Sequence, residues 1–391
     1  MKIKQLDVAG FRSLKNVSWK PGDLNVVIGQ NGTGKSNLLR ILELISAAAQ
    51  GQLAKYIEAL GGMSAILWDG LAPSIFLGLE IEQDSSSMFR EETYKLKIDD
   101  NFFDPLIDRE VWSARKHADD KNLVLIDRDA KQVVFNGKPI SSPAKIPQQE
   151  TLLSLLNSLS FEGDAFDESS SAYLFRRQLG ALSVYHDFDV SQNSSIRQPA
   201  VPRYEHTIEP TGRNLVTVLH TLYSGNRAFK QNIDLAMRAA FGNDYEEITF
   251  PPASDRRIQF RIRWKTLRRE QSAADLSDGT LRFLLILAIL SMPLPSSLIA
   301  IDEPETGLHP SMLPIIAEFA VEASSRTQVI FTTHSPQFLS AFGKHPPTTT
   351  VAEWQNGETL LHTLDKERLD YWLEDYSLGT LFESGELEAM T

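Results

Sequence analysis

Apolar positions near the start of the chain alternate. Ile3, Leu6 and Val8 follow a loose period of two, a bend falls at 11–14, and 24–28 reads Leu-Asn-Val-Val-Ile. These patterns predict strands, the last one buried. The period then changes, with Leu38, Leu39, Leu42 and Ile45 on one side of a helix. A long middle carries β-like stretches at 75–81, 93–98, 123–126 and 132–135 and helical ones around 152–159 and 215–222. Breaks rich in Ser, Pro and Asn fall at 84–87, 141–147 and 191–202. No heptad pattern is sustained, which argues against a long coiled-coil arm. In the last third, Ser277 opens an apolar helix to about residue 290. A buried strand over 297–301 runs into Asp302-Glu303, a helix follows over 311–324, and a strand over 328–332 runs toward His334. This alternation predicts an α/β fold with a parallel sheet and helices on its faces. In such sheets ligands sit at the carboxyl ends of strands, where Gly29, Asp302, Glu303 and His334 fall. The expected division is 1–60, 61–270 and 271–391.

Composition narrows the class. The chain has 391 residues, enough for a sizeable core, and no Cys, which excludes thiolate metal sites and disulfide scaffolds. Lys and Arg number 39 against 51 Asp and Glu, a net charge of −12. No global basic field exists for non-specific nucleic-acid binding, although a local patch remains open. No apolar run reaches the roughly 20 residues of a membrane span. Residues 1–7 lack the apolar core of a signal peptide. The expectation is a soluble, cytoplasmic protein.

The chemistry concentrates in four short segments. Gly29-Gln30-Asn31-Gly32-Thr33-Gly34-Lys35-Ser36 lies between a strand and a helix and matches the full phosphate-loop pattern. Backbone amides at a helix N-terminus favour anions, and glycine lets the main chain approach phosphates closely. Lys35 is suited to neutralise β- and γ-phosphates and Ser36 to ligate Mg²⁺. Asp302 and Glu303 end an apolar strand, one placed for the metal and the next for polarising a water. His334 ends another strand and could bond the γ-phosphate or that water. In Leu276-Ser277-Asp278-Gly279-Thr280, Ser277 reads as an N-cap. Gly279 in the first turn costs helix stability unless something approaches closely, as a phosphate would.

These segments, in this order, resemble the ATP-binding-cassette superfamily of ATPases. More narrowly they resemble its RecF/SMC-like and OLD-like branch of AAA-type ATP-binding proteins. Asn37 after Gly-Lys-Ser, the opening Gly10-Phe11-Arg12-Ser13-Leu14, and Leu-Ser-Asp-Gly-Thr at 276–280 select the branch over transporter ATPases. Gly212-Arg213-Asn214-Leu215, residues 303–310 and the run Tyr376-Ser377-Leu378-Gly379-Thr380-Leu381-Phe382 also resemble this branch. The resemblance implies a P-loop NTPase head with an antiparallel β-subdomain and a mixed α+β insertion, with ATP and Mg²⁺ as cofactors. It implies a homodimer, or a higher even oligomer, in which two heads associate head-to-tail. Lys35, Asp302, Glu303 and His334 of one subunit would then face Ser277 and Gly279 of the other. Residues 305–310 would sense the opposing site, and Arg12 would lie near nucleotide. Gln50 and Gln83 are candidates for the family's glutamine loop.

Two biological roles follow. One is an ATP-gated sensor or scaffold for a separately encoded effector, such as a nuclease, in phage defence. The other is a RecF-like repair or genome-maintenance ATPase that binds DNA directly. Net acidity, the lack of a long arm and the short stretch after His334, too small for a nuclease domain, favour the first. The second has one feature in its support: Arg257, Arg261, Arg263 and Lys265 alternate with apolar residues, making a basic strand face. That face is equally explained by solvation or by acidic neighbours.

Overall fold

The computed structural model describes residues 1–84, 87–101, 104–117, 120–140, 146–156 and 171–390. They form two units, 1–184 with 348–365, and 185–347 with 366–390.

The first unit is built on an eight-stranded antiparallel sheet. Its order is Leu14–Trp19, Lys2–Phe11, Ser74–Glu82, Glu91–Asn101, Asp104–Arg115, Leu123–Arg128, Val133–Phe135, Lys138–Pro139. Alternation holds in register: Leu6 and Val8 pair with Leu79 and Leu77, which pair with Tyr94 and Leu96, and all six are buried. Period two thus places one apolar face inward. The helix Ser171–Gly180 packs there, with Phe175 stacked on Trp112 at 4.7 Å. The helix Lys35–Gln50 buries Leu38, Leu39, Leu42 and Ile45, as the periodicity predicts. Separately, the strand Leu24–Ile28 pairs in parallel with Thr348–Gln355, which pairs antiparallel with Glu358–Thr363. The helix expected at 152–159 begins at Leu152, and its part beyond 156 lies outside the described residues. The breaks expected at 84–87 and 141–147 fall partly outside them too.

In the second unit, Leu298–Asp302 and Gln328–Thr333 form a parallel pair joined through the helix Leu313–Ser324. The helix Asp278–Leu290 is buried at every position from Thr280 onward. Beyond Thr280 and Arg282 these positions are all apolar, and a helix with no solvent face becomes core. The helices Leu215–Gly225 and Arg227–Phe241 and a small antiparallel sheet (Tyr245–Thr249, Arg261–Trp264, Gln271–Ser272) complete the unit. The basic-apolar alternation buries Ile258, Phe260 and Ile262 as expected. The ladder covers only Arg261–Trp264, because Ile258 bridges to Ala200 and Pro252 instead.

Candidate nucleotide site

The phosphate loop sits in the first unit. Gly29, Gly32 and Gly34 all have positive φ, a region that costs other residues about 1–2 kcal/mol. Gln30, Asn31 and Gly32 are exposed at the tip, and a Cβ added at Gly32 would meet nothing within 4 Å. Gly34, at φ 94, is the N-cap of the helix from Lys35, and no side chain caps that first turn. The Lys35 ammonium is buried under the curl of the loop, donating to the Gly29 carbonyl at 2.7 Å and to Gln30 at 2.9 Å. Thr33 Oγ1 donates to Gln30's carbonyl at 2.9 Å and tightens the same turn. Amides at an open helix start around a lysine ammonium suit a polyphosphate.

A hydroxyl from far along the chain braces this loop. Thr359, wholly buried, donates to the Thr33 carbonyl at 2.8 Å and lies 2.7 Å from the Ser13 hydroxyl. Asn37 Nδ2 donates to Ser13 Oγ at 2.8 Å. Asn37 and the Phe11–Leu14 bend, selected from sequence only as markers of resemblance, are therefore in one network with the loop. Thr359 carries no sequence signal, being one threonine in a half-buried strand. Arg12 lies in this bend at φ 46, with its Nε buried and without a hydrogen bond. Burial and the neighbouring Arg40 both lower its pKa. Gln50 donates to the Gly180 carbonyl at 2.6 Å, and Gln83 exchanges bonds with Gln178 and also bonds Glu92.

The acidic strand end lies in the second unit. Asp302 bonds Thr332 Oγ1 and stands 3.1 Å from His186 Nδ1. Glu303 is held at φ 44, its amide donating to the Thr332 carbonyl at 3.1 Å and its carboxylate 3.1 Å from His334 Nδ1. A non-glycine residue in that region is strained and signals an over-determined position. Arg282, 8% exposed, donates to the Glu303 carbonyl at 3.2 Å and sits over the Phe188 ring. Its pKa is lowered by burial, opposed by Asp187, Glu305 and Glu303. Glu305 accepts from Thr333 Oγ1 at 2.5 Å, and burial raises its pKa. Glu303 and His334, paired from sequence only by company, are in direct contact. His186 and Arg282 were not legible, because each reaches the acids from another segment.

Ser277 caps the helix Asp278–Leu290, accepting from the Thr280 amide at 3.1 Å. Ser277 and Asp278 are exposed. A Cβ at Gly279 would come within 2.8 Å of the Gly307 carbonyl. Close approach by the segment after Glu303 is thus a reason for this glycine that sequence could not supply. Of the basic strand, Arg263 is clamped between Glu247 and Glu270, both at 2.6 Å, and Arg261 bonds Gln259 at 2.6 Å. Arg257 and Lys265 are exposed.

This architecture defines a class. The chain is similar to the SMC head bound to the C-winged helix domain of ScpA, at TM-score 0.58 and 13% identity over 95% of this chain and 100% of that one. It is also similar to the Smc head domain with an extended coiled coil bound to the C-terminal domain of ScpA derived from Pyrococcus furiosus. There the TM-score is 0.58 and the identity 11%, over 95% of this chain and 98% of that one. The fold is that of an ABC-type ATPase head, a P-loop NTPase. Within that class the family described as "AAA domain, putative AbiEii toxin, Type IV TA system" matches residues 24–340, and the chain belongs to it. No curated protein matches it in sequence. Among the described residues, no helix is long and apolar enough to cross a membrane.

Proposed function

We propose that this protein binds ATP with Mg²⁺ and hydrolyses it slowly, two copies closing head-to-tail around the nucleotide. Lys35 and the amides of Gln30 to Ser36 would take the phosphates, with Asn37 and Arg12 flanking them. Ser36 and Asp302, hard oxygen donors of the kind Mg²⁺ accepts, would hold the metal. The metal, when bound, would screen phosphate charge. Glu303, fixed at its main chain and aligned by His334, would accept the proton of the attacking water. Ser277 and Gly279 of the second copy would complete the site. The observation that carries the reading is that one chain holds both an anion-ready phosphate loop and, in its other unit, a Glu303–His334 contact.

We further read occupancy of the heads as a signal to a separately encoded effector in phage defence, in the cytoplasm. The family description, with its toxin and TA system, supports a chain that works beside a second component. The two SMC heads bear a bound partner domain, which supports a protein partner for this one. The alternative of direct DNA binding through Arg257, Arg261, Arg263 and Lys265 loses weight where Glu247 and Glu270 already neutralise Arg263.

Glu303→Gln tests the catalytic assignment. ATP binding should stay within about twofold, while phosphate release falls at least about 100-fold and a closed dimer accumulates. Hydrolysis at the wild-type rate would remove Glu303 from its role.

A further inference from the structure

One buried cation lies behind the turn that opens the helix Asp278–Leu290. Arg197 is 3% exposed and ends a 3₁₀ turn, Ser195–Arg197. Its Nη1 donates to the carbonyls of Ala273 at 3.0 Å, Ala274 at 3.3 Å and Leu276 at 2.7 Å. Its Nη2 bonds the Asp278 carboxylate. On the other side, Nε donates to the carbonyls of Val190 at 2.9 Å and Ser191 at 3.1 Å. Leu276 and Asp278 are the residues on either side of Ser277, so the guanidinium brackets that serine.

A buried charge is costly unless it is fully hydrogen-bonded, and this one meets five carbonyls and a carboxylate. The planar fork fixes all of these directions at once, which a lysine ammonium cannot do. Asp278 itself is two-thirds exposed, its side chain at 67%. The core of this pair is therefore the arginine, and its outer rim is the turn a second molecule would meet. The hydrogen bonds of Arg197 described above run to residues 190–191 and 273–278, while His186, Thr332 and Arg282 bond the Asp302–Glu303 strand end.

We propose that Arg197 is a positioning residue for the Ser277–Gly279 turn, setting how that turn is presented to nucleotide held by another copy of the chain. The proposal rests on the head-to-tail reading above. It has a consequence that a merely structural arginine lacks: damage at Arg197 falls on the partner's nucleotide and leaves its own chain's phosphate loop competent.

Mixing full-length variants tests this. Arg197→Lys, Ser277→Arg and Lys35→Ala are assayed alone and in 1:1 mixtures, by phosphate release and by binding of a fluorescent ATP analogue. Alone, each should lose at least about tenfold in turnover, while Arg197→Lys keeps analogue binding within about twofold. In a random mixture with Lys35→Ala, half of the dimers pair an intact phosphate loop with an intact turn at one of two sites. Turnover should recover to about a quarter of wild type, and the Arg197→Lys and Ser277→Arg mixtures should recover alike. Recovery with Ser277→Arg but not with Arg197→Lys overturns the proposal and leaves the dimer reading standing. Recovery with neither overturns both. Full activity of Arg197→Lys alone also overturns it. If that variant is insoluble, Asp278→Asn takes its place: it keeps an acceptor oxygen but removes the rim charge, and should show a few-fold loss with the same recovery.

Discussion

The phosphate loop and the Leu276–Thr280 turn each present main-chain amides at a helix start, and they are held in opposite ways. The loop helix has no side-chain cap; glycine conformations and a chain of small hydroxyls shape it from within. The turn is capped by its own Ser277, and its approach is fixed by one large cation about eighty residues upstream. The first arrangement leaves amides open for a ligand. The second fills its polar groups internally and offers its outer edge. The comparison says that shape is enforced locally where phosphates bind and remotely where a partner is met.

The strongest way to break that comparison is to add one carbon at Gly34. At φ 94, a Cβ there would lie 2.1 Å from Thr359 Oγ1 and 2.5 Å from Ser13 Oγ. Gly34→Ala should weaken ATP binding by about a thousandfold, roughly 4 kcal/mol, combining backbone strain with displacement of the brace. Gly32→Ala is the control, because its φ of 82 carries strain but its surroundings are open. It should cost only about tenfold, near the 1–2 kcal/mol of the left-handed region. Calorimetric titration of both variants checks the difference. Equal losses would mean that Thr359 and Ser13 do not shape the loop.

A well-partnered buried charge and a poorly partnered one should respond to pH differently. Arg197 meets five carbonyls and a carboxylate, whereas the buried Glu92, 4% exposed, has a neutral amide donor, Gln83, and no cation bonded to it among the described contacts. Burial raises the Glu92 carboxyl from 4.5 to about 7, more than the Gln83 bond lowers it. Between those values the folded chain holds a proton that the unfolded chain has released. Its contribution to stability is therefore complete below pH 4.5, falls as pH rises, and levels off above pH 7, a loss of roughly 3 kcal/mol. Urea denaturation at pH 5 and pH 8 should show that slope, and Glu92→Gln should be flatter by about that amount. An unchanged slope would mean that the carboxyl is solvated.

How much could be read from sequence follows the same division. Residues 29–37 were legible because the glycines, the lysine and the hydroxyl must be contiguous to work. Asp302, Glu303 and His334 were legible as strand ends, since the apolar runs before them fix where each strand stops. Gly279 is legible as costly in a first turn, but the Gly307 carbonyl that requires it belongs to a segment nearly thirty residues on. Arg197, Arg282, His186 and Thr359 left no trace, because a buried polar residue with distant partners has neither period nor spacing. Four strands of the middle were readable by alternation, at 75–81, 93–98, 123–126 and 132–135, whereas Asp104–Arg115 was not. The basic face of the middle was readable only as charge, and Glu247 and Glu270, which decide what Arg263 does, come from other strands or loops.

The smallest effect is the most discriminating. Thr359→Val keeps the volume and deletes the hydroxyl, leaving the Thr33 carbonyl without its 2.8 Å donor in a wholly buried place. An unsatisfied buried carbonyl costs about 1–2 kcal/mol, so ATP affinity should fall about five- to thirtyfold. Thr359→Ser restores the donor and should come back to within about twofold. Unfolding midpoints separate the two routes by which valine could act. If the brace serves the loop, affinity falls in valine and returns in serine at similar stability. If affinity instead tracks the unfolding midpoint in both variants, Thr359 merely fills space, and internal hydroxyl shaping of the phosphate loop is wrong even where the Gly34 result is as expected.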